Sequence, residues 1–136
     1  MSPKFQRPTS AADIWGIDDL QTKDVRVPEW RMVITIRGLT AGERDSFETS
    51  LFDGSKKRQI SNAENIRAKL VVRCAVNSEG NRLFSDDDVV KLAKKSGAAV
   101  DRLFDVAQEL SGLTNRDVKE LEKNLESDPS GDLHSS

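Results

Sequence analysis

Between Asp24 and Gly38, in DVRVPEWRMVITIRG, the apolar side chains fall on alternate positions. Val25 and Val27 alternate with charged residues, and Met32, Ile34 and Ile36 then alternate with Val33 and Thr35. A period of two with β-branched enrichment predicts a pair of strands, each turning one face to a core. Pro28 and Glu29 fall at the turn, since proline cannot donate to a central ladder. Trp30 then stands at the hairpin tip or first in the return strand. Two roles are open to it: an anchor covering the sheet edge, or a contact for a partner.

From Thr40 onward the pattern becomes helical and carries a recurring start signal. Thr40 with Glu43, Ser61 with Glu64, Ser85 with Asp88 and Thr114 with Asp117 each place an acid three positions after a hydroxyl. The hydroxyl accepts from an orphan amide of the first turn, and the carboxylate reaches back to the amide of the capping residue. Apolar stripes follow. The second helix carries Ala63, Ile66, Leu70, Val71 and Cys74, and the third carries Val89, Leu92 and Ala93. The fourth is the strongest, with Val100, Leu103, Phe104, Ala107 and Leu110 on one face and Gly112 just beyond its end. Val118, Leu121 and Leu125 mark a fifth, narrower seam. Val76 to Phe84 reads as a short turn or minimal hairpin centred on Glu79 and Gly80.

The predicted fold is α+β and mainly α: a small N-terminal β-hairpin followed by about five short helices. Residues 1–20 are expected to form a flexible arm whose apolar content is concentrated in Ile14, Trp15 and Ile17. That arm either folds back on its own domain or docks on another subunit. Residues 21–126 form a single globular, mostly helical domain, and residues 127–136 a disordered polar tail.

The acidic run Asp86-Asp87-Asp88 invites a metal or catalytic reading, but its place after Ser85 makes it the first turn of a helix. Negative charge there favours the positive end of the helix dipole. Neighbouring helical side chains also point about 100° apart, so three in a row do not converge on one ion. The alternating acids and glycine of a calcium loop are lacking.

Composition narrows the function. The 136 residues are the size of one domain and hold 21 Lys plus Arg against 23 Asp plus Glu, a formal net charge of −2. That balance argues against a general nucleic-acid binder. Lys56 to Arg58 is the locally basic stretch, and it reads as a solvated loop. Cys74 is the single cysteine, so an internal disulfide and a thiolate metal site are both excluded. The single histidine, His134, lies in the polar tail, without the rigid support that a general base or ligand needs. No catalytic, cofactor or metal site is expected. No apolar run approaches the roughly 20 residues that span a membrane, so a soluble protein in a reducing cytoplasm is expected.

GLTNRDVKEL, Gly112 to Leu121, is like the first half of a helix-turn-helix, but no recognition helix follows at the required distance. Its basic residues, Arg116, Lys119 and Lys123, are outnumbered by Asp117, Glu120, Glu122 and Glu126. A DNA-binding regulator is therefore disfavoured.

Taken in order, DVRVPEWRMVITIRGLTAGERDSFE, NSEGNRLFSDDDVVKLAKKSGAAVDRLFDVAQELSGLT and LEKNLESDPSG resemble the tail assembly chaperones of long-tailed, siphovirus-type bacteriophages and prophages, especially those of actinobacterial hosts. The likeness runs from Ala11 to Gly131 and lies in the order and spacing of the motifs. This chain has Arg31-Met32 where the family usually has a glycine-rich turn after the tryptophan. The resemblance implies a non-enzymatic role in virion morphogenesis: binding the tape measure protein and keeping it soluble during tail-tube assembly. It also implies contact with the major tail protein through a longer, frameshifted form, self-association, residence in the host cytoplasm and absence from the mature virion. The alternative is another structural or adaptor protein of the phage particle. A helical client needs accessible apolar side chains. Trp15, Ile17, Trp30, Leu103, Phe104 and Leu110 are the partner-binding candidates, although the last three also lie on a stripe that a core would bury.

Overall fold

Strands β1 (Thr22–Val27) and β2 (Met32–Arg37) pair antiparallel in the computed structural model, which describes residues 4–52, 65–113 and 120. The register sets Val25 opposite Ile34 and Val27 opposite Met32, so the apolar positions share one face. Val27, Ile34 and Ile36 are buried, whereas Met32, at the turn end of the same face, is left largely exposed. Residues 28–31 make the connection, with Trp30 at its tip. Its amide donates to the Val27 carbonyl at 3.0 Å.

Arg31 takes φ +55 in this turn, the left-handed region that side chains avoid and glycine tolerates. It stands where the resemblance led us to expect a glycine-rich turn. Arg31→Gly is therefore expected to stabilise the protein by about 0.5–1 kcal/mol, read as a higher urea midpoint at unchanged slope. A lower midpoint would mean that the arginine side chain contributes more than its backbone costs.

A third strand was not anticipated. β3 (Ala75–Val76) adds antiparallel to β2 through Thr35 opposite Val76 and Ile36 opposite Ala75, giving the sheet order β1-β2-β3. The expected tight turn follows it. The Asn77 side-chain oxygen accepts from the amides of Glu79 and Asn81, Gly80 takes φ +84, and Val76 bridges Arg82.

One-turn helix α1 (Ala12–Trp15) lies in the N-terminal segment, and α2 (Ala41–Phe52) follows the hairpin. α3 (Ile66–Cys74) leads into β3, a 3-10 turn over Asp86–Asp88 leads into α4 (Val89–Ala93), and α5 (Gly97–Leu110) is the longest helix among the described residues. The expected fifth seam at Val118, Leu121 and Leu125 lies outside the described residues. So do the Ser61–Glu64 and Thr114–Asp117 start signals and the Lys56–Arg58 run. The other two start signals form as reciprocal caps. Glu43 accepts from the Thr40 amide at 2.9 Å while Thr40 accepts from the Glu43 amide at 3.0 Å. Asp88 accepts from the Ser85 amide at 2.9 Å. Burial pushes the Glu43 carboxyl up, but the Thr40 amide and the Arg37 guanidinium outweigh it and hold its pKa below the usual value.

α5 packs across β1 and β2, and α3 packs on α5 and is buried nearly all round. Phe47 and Leu51 of α2 join this core, one helical turn apart. α4 contributes Leu92, buried, and Val89, half-buried against the core, whereas Ala93 is exposed, a correction to the expected stripe. The helix ends there, before its face can continue. Ser96 caps α5, its hydroxyl accepting from the Ala99 amide at 3.2 Å. At the other end the Leu113 amide donates to Gln108 and the Gly112 amide to Glu109, with Gly112 at φ +75. That is the Schellman pattern, closed by buried Leu113.

Cys74 sits in the core beside Ser111, and burial pushes its thiol from 9.0 up to about 11, against a smaller lowering by the Ser111 contact. The unfolded chain therefore loses this proton first. The contribution of Cys74 to stability is expected to be flat below about pH 9 and then to fall by about 1.4 kcal/mol per pH unit towards the folded pKa. In Cys74→Ala that slope should be absent. Thiol titration provides a second check: native protein should react only as fast as it unfolds.

Candidate interaction surface

The hairpin tip is tied to α5 by an ion pair. Arg102 on α5 grips Glu29 with two nitrogens, Nε to Oε1 at 3.0 Å and Nη2 to Oε2 at 3.1 Å. The Arg102 guanidinium holds the Glu29 carboxyl below its usual pKa. A second arginine fixes the opposite wall. Arg82 donates to the Val72 carbonyl at the end of α3 and to Asp86 at 2.8 Å, which ties the β3 turn to the capped start of α4. Asp86 is accordingly held below its usual pKa by Arg82, with burial opposing. The acidic triplet is structural in this fold: Asp86 pairs with Arg82 and Asp88 caps. Among the described residues no three His, Cys, Asp or Glu side chains cluster to hold a metal ion.

Between these walls runs an open groove of about 640 Å³. Trp30, Met32 and Ile34 form its sheet side, and Leu83 and Phe84 its turn side. Lys91 and Lys95, with Asp88, line the α4 side. Among the described residues β3 pairs with β2 only at Thr35 and Ile36, so the turn end of the strand, beside the groove, has no neighbour on that side. Met32 is 60% exposed there.

The six sequence candidates separate by position. Leu103 and Phe104 are buried in the α5 core and are not presented at the surface of this chain, because the stripe they lie on is the one that covers the sheet. Leu110 is half-buried against that core. Trp30 is half-buried too, packed on the core and lining the groove. Trp15 and Ile17 lie apart from the groove, 77% and 62% exposed. Met32, Leu83, Phe84, Lys91 and Lys95 were missed. Met32 followed the strand period of the core, and the only signal for Leu83-Phe84 was an apolar pair directly after a polar turn.

No curated protein matches the chain in sequence. The family profile described as phage tail assembly chaperone matches residues 18–124. The chain belongs to this family. Among solved structures, the bacteriophage HK97 tail assembly chaperone has a similar fold, with a TM-score of 0.50 at 18% identity. The alignment covers 67% of this chain and 85% of that one. A tail assembly chaperone has a non-catalytic role, and an apolar groove with few polar groups is consistent with binding. Among the described residues no helix of this chaperone is long and apolar enough to cross a membrane.

Proposed function

We propose that this chaperone binds the tape measure protein of its phage and keeps it soluble while the tail tube assembles, without catalysis. The observation that carries this reading is the family match across residues 18–124. The surface supports it: Trp15, Ile17, Met32, Val33 and Leu83 are apolar and accessible, the kind of side chain that packs on the stripe of an amphipathic helix. Several copies spaced along a long client would gain from effective concentration without any strong single contact. A longer, frameshifted form would add the contact to the major tail protein. The setting proposed is the cytoplasm of the bacterial host, with the protein absent from the finished virion.

The test is co-expression with the tape measure protein encoded in the same gene cluster, followed by pull-down and size exclusion. The tape measure protein is expected to be insoluble alone and soluble in a stable complex with this chain. A client that neither binds nor gains solubility would overturn the reading, as would recovery of this chain from purified virions in stoichiometric amounts.

A further inference from the structure

Two arginines near the hairpin tip have nothing to hold. Arg26 stands on β1 opposite Val33, and Arg31 stands in the turn. Both are exposed, and among the described residues neither side chain forms an ion pair, a hydrogen bond or a ring contact. The acids of the hairpin are committed elsewhere. Asp24, two positions from Arg26 on the same face, accepts from the Thr35 hydroxyl at 2.7 Å, and Glu29 is gripped by Arg102. Arg26 and Arg31 line an open hollow of about 450 Å³ together with Pro28, Met32 and Val33. It opens on the sheet face away from α5, because Arg26 and Val33 alternate with the buried Val27 and Ile34. Val33 is 58% exposed there.

Arg31 also holds φ +55, and no side-chain contact within the described residues offsets that strain. Backbone strain with no internal compensation points to a role outside the chain. We infer that the hollow takes a carboxylate at the border of the client's apolar stripe, with Arg26 and Arg31 fixing the register of the bound segment. This rests on the chaperone reading and adds the chemistry of the contact. An amphipathic helix carries its charged residues beside the stripe. Met32 and Val33 meet the stripe, while arginine stems lie along apolar surface and keep their heads at its edge. A guanidinium matches a carboxylate with two parallel hydrogen bonds, which sets position as well as attraction. Nucleic acid fits less well, since two free arginines on a chain of net charge −2 supply little of the positive charge that a phosphate backbone requires.

The test is pull-down of the chain co-expressed with the tape measure protein, measuring client retained per chaperone at rising salt. Wild type is expected to hold the client and to release it as salt screens the contact. Arg26→Glu/Arg31→Glu should retain about a tenth as much. Without client it should elute and melt like wild type, and should it not melt so, Arg26→Gln/Arg31→Gly replaces it. Lys23→Glu reverses a charge on the same hairpin, opposite Ile36 and away from the tip, and should retain as much client as wild type. Arg31→Gly alone should show a higher urea midpoint and yet hold less client, a split that a purely structural arginine would not give. The inference is overturned if the double variant or Arg31→Gly holds client like wild type, or if Lys23→Glu loses as much as the double variant. It is overturned too if the double variant changes the mass of the chain alone, which would assign the hollow to contact between copies, or if nuclease dissolves the wild-type complex, which would assign it to nucleic acid. A wild type that never holds the client overturns the chaperone reading, and this inference with it. Failure of the inference alone is distinct, because wild type then still holds the client.

Discussion

Leu103→Ala is expected to lower the unfolding free energy by about 2–5 kcal/mol, measured by urea denaturation. Leu103 is fully buried on α5, the helix that packs across both long strands and against α3. Removing its three terminal carbons takes away their transfer free energy and leaves a cavity walled by two helices and a sheet, which cannot collapse onto one another freely. Against a total of about 5–15 kcal/mol for a domain of this kind, such a loss is a large fraction. Leu110→Ala, half-buried at the end of the same stripe, should cost less, because part of its surface already meets water. The pair also decides between two roles for this helix. If Leu103→Ala cost under about 1 kcal/mol yet abolished client binding, the stripe would be a working surface rather than the core.

Gly38→Ala should cost about 1–3 kcal/mol by overpacking alone. A Cβ at residue 38 would stand 2.4 Å from the Leu110 carbonyl oxygen and 3.0 Å from its carbon. The obstacle is backbone at the C-terminal end of α5, so no side-chain rotation relieves it. The strand end or the helix end must move. Either movement strains the next contact, where the buried Leu39 amide donates to the Ser111 hydroxyl at 3.2 Å, and loss of that bond would leave a buried amide unsatisfied. Gly42→Ala is the control, since a Cβ there meets nothing within 4 Å and lies in α2. Its sign should be opposite, a gain of up to about 1 kcal/mol from helix propensity. Equal effects at the two glycines would show that the close approach of Gly38 to α5 is not what sets its cost.

The elements were legible where local chemistry decides them. The alternation in Val25, Val27, Ile34 and Ile36 requires strands with one buried face, and the hairpin pairs them in that register. The Thr40–Glu43 and Ser85–Asp88 pairs announce helix starts because cap and carboxylate are three residues apart in any context. Gly112 marks the end of α5 because that position takes a positive φ. The acidic triplet belongs to a helix start for the same local reason, since Ser85 and Asp88 are three residues apart.

Other features depended on which surfaces meet. The strand at Ala75–Val76 is only two residues long, and its pairing with Thr35 and Ile36 arises from the packing of α3, not from any local pattern. Apolar periodicity put Leu103 and Met32 on inward faces alike, yet one is sealed by α3 and the sheet while the other lies past the end of β3 and remains in water. Exposure is a property of what lies across from a residue, and a period of two or of 3.6 carries no information about the far side. Local sequence therefore determined the elements and the order of motifs that carries the family. Tertiary packing alone decided which apolar side chains became core and which became the groove, because burial requires a second surface that no single segment supplies.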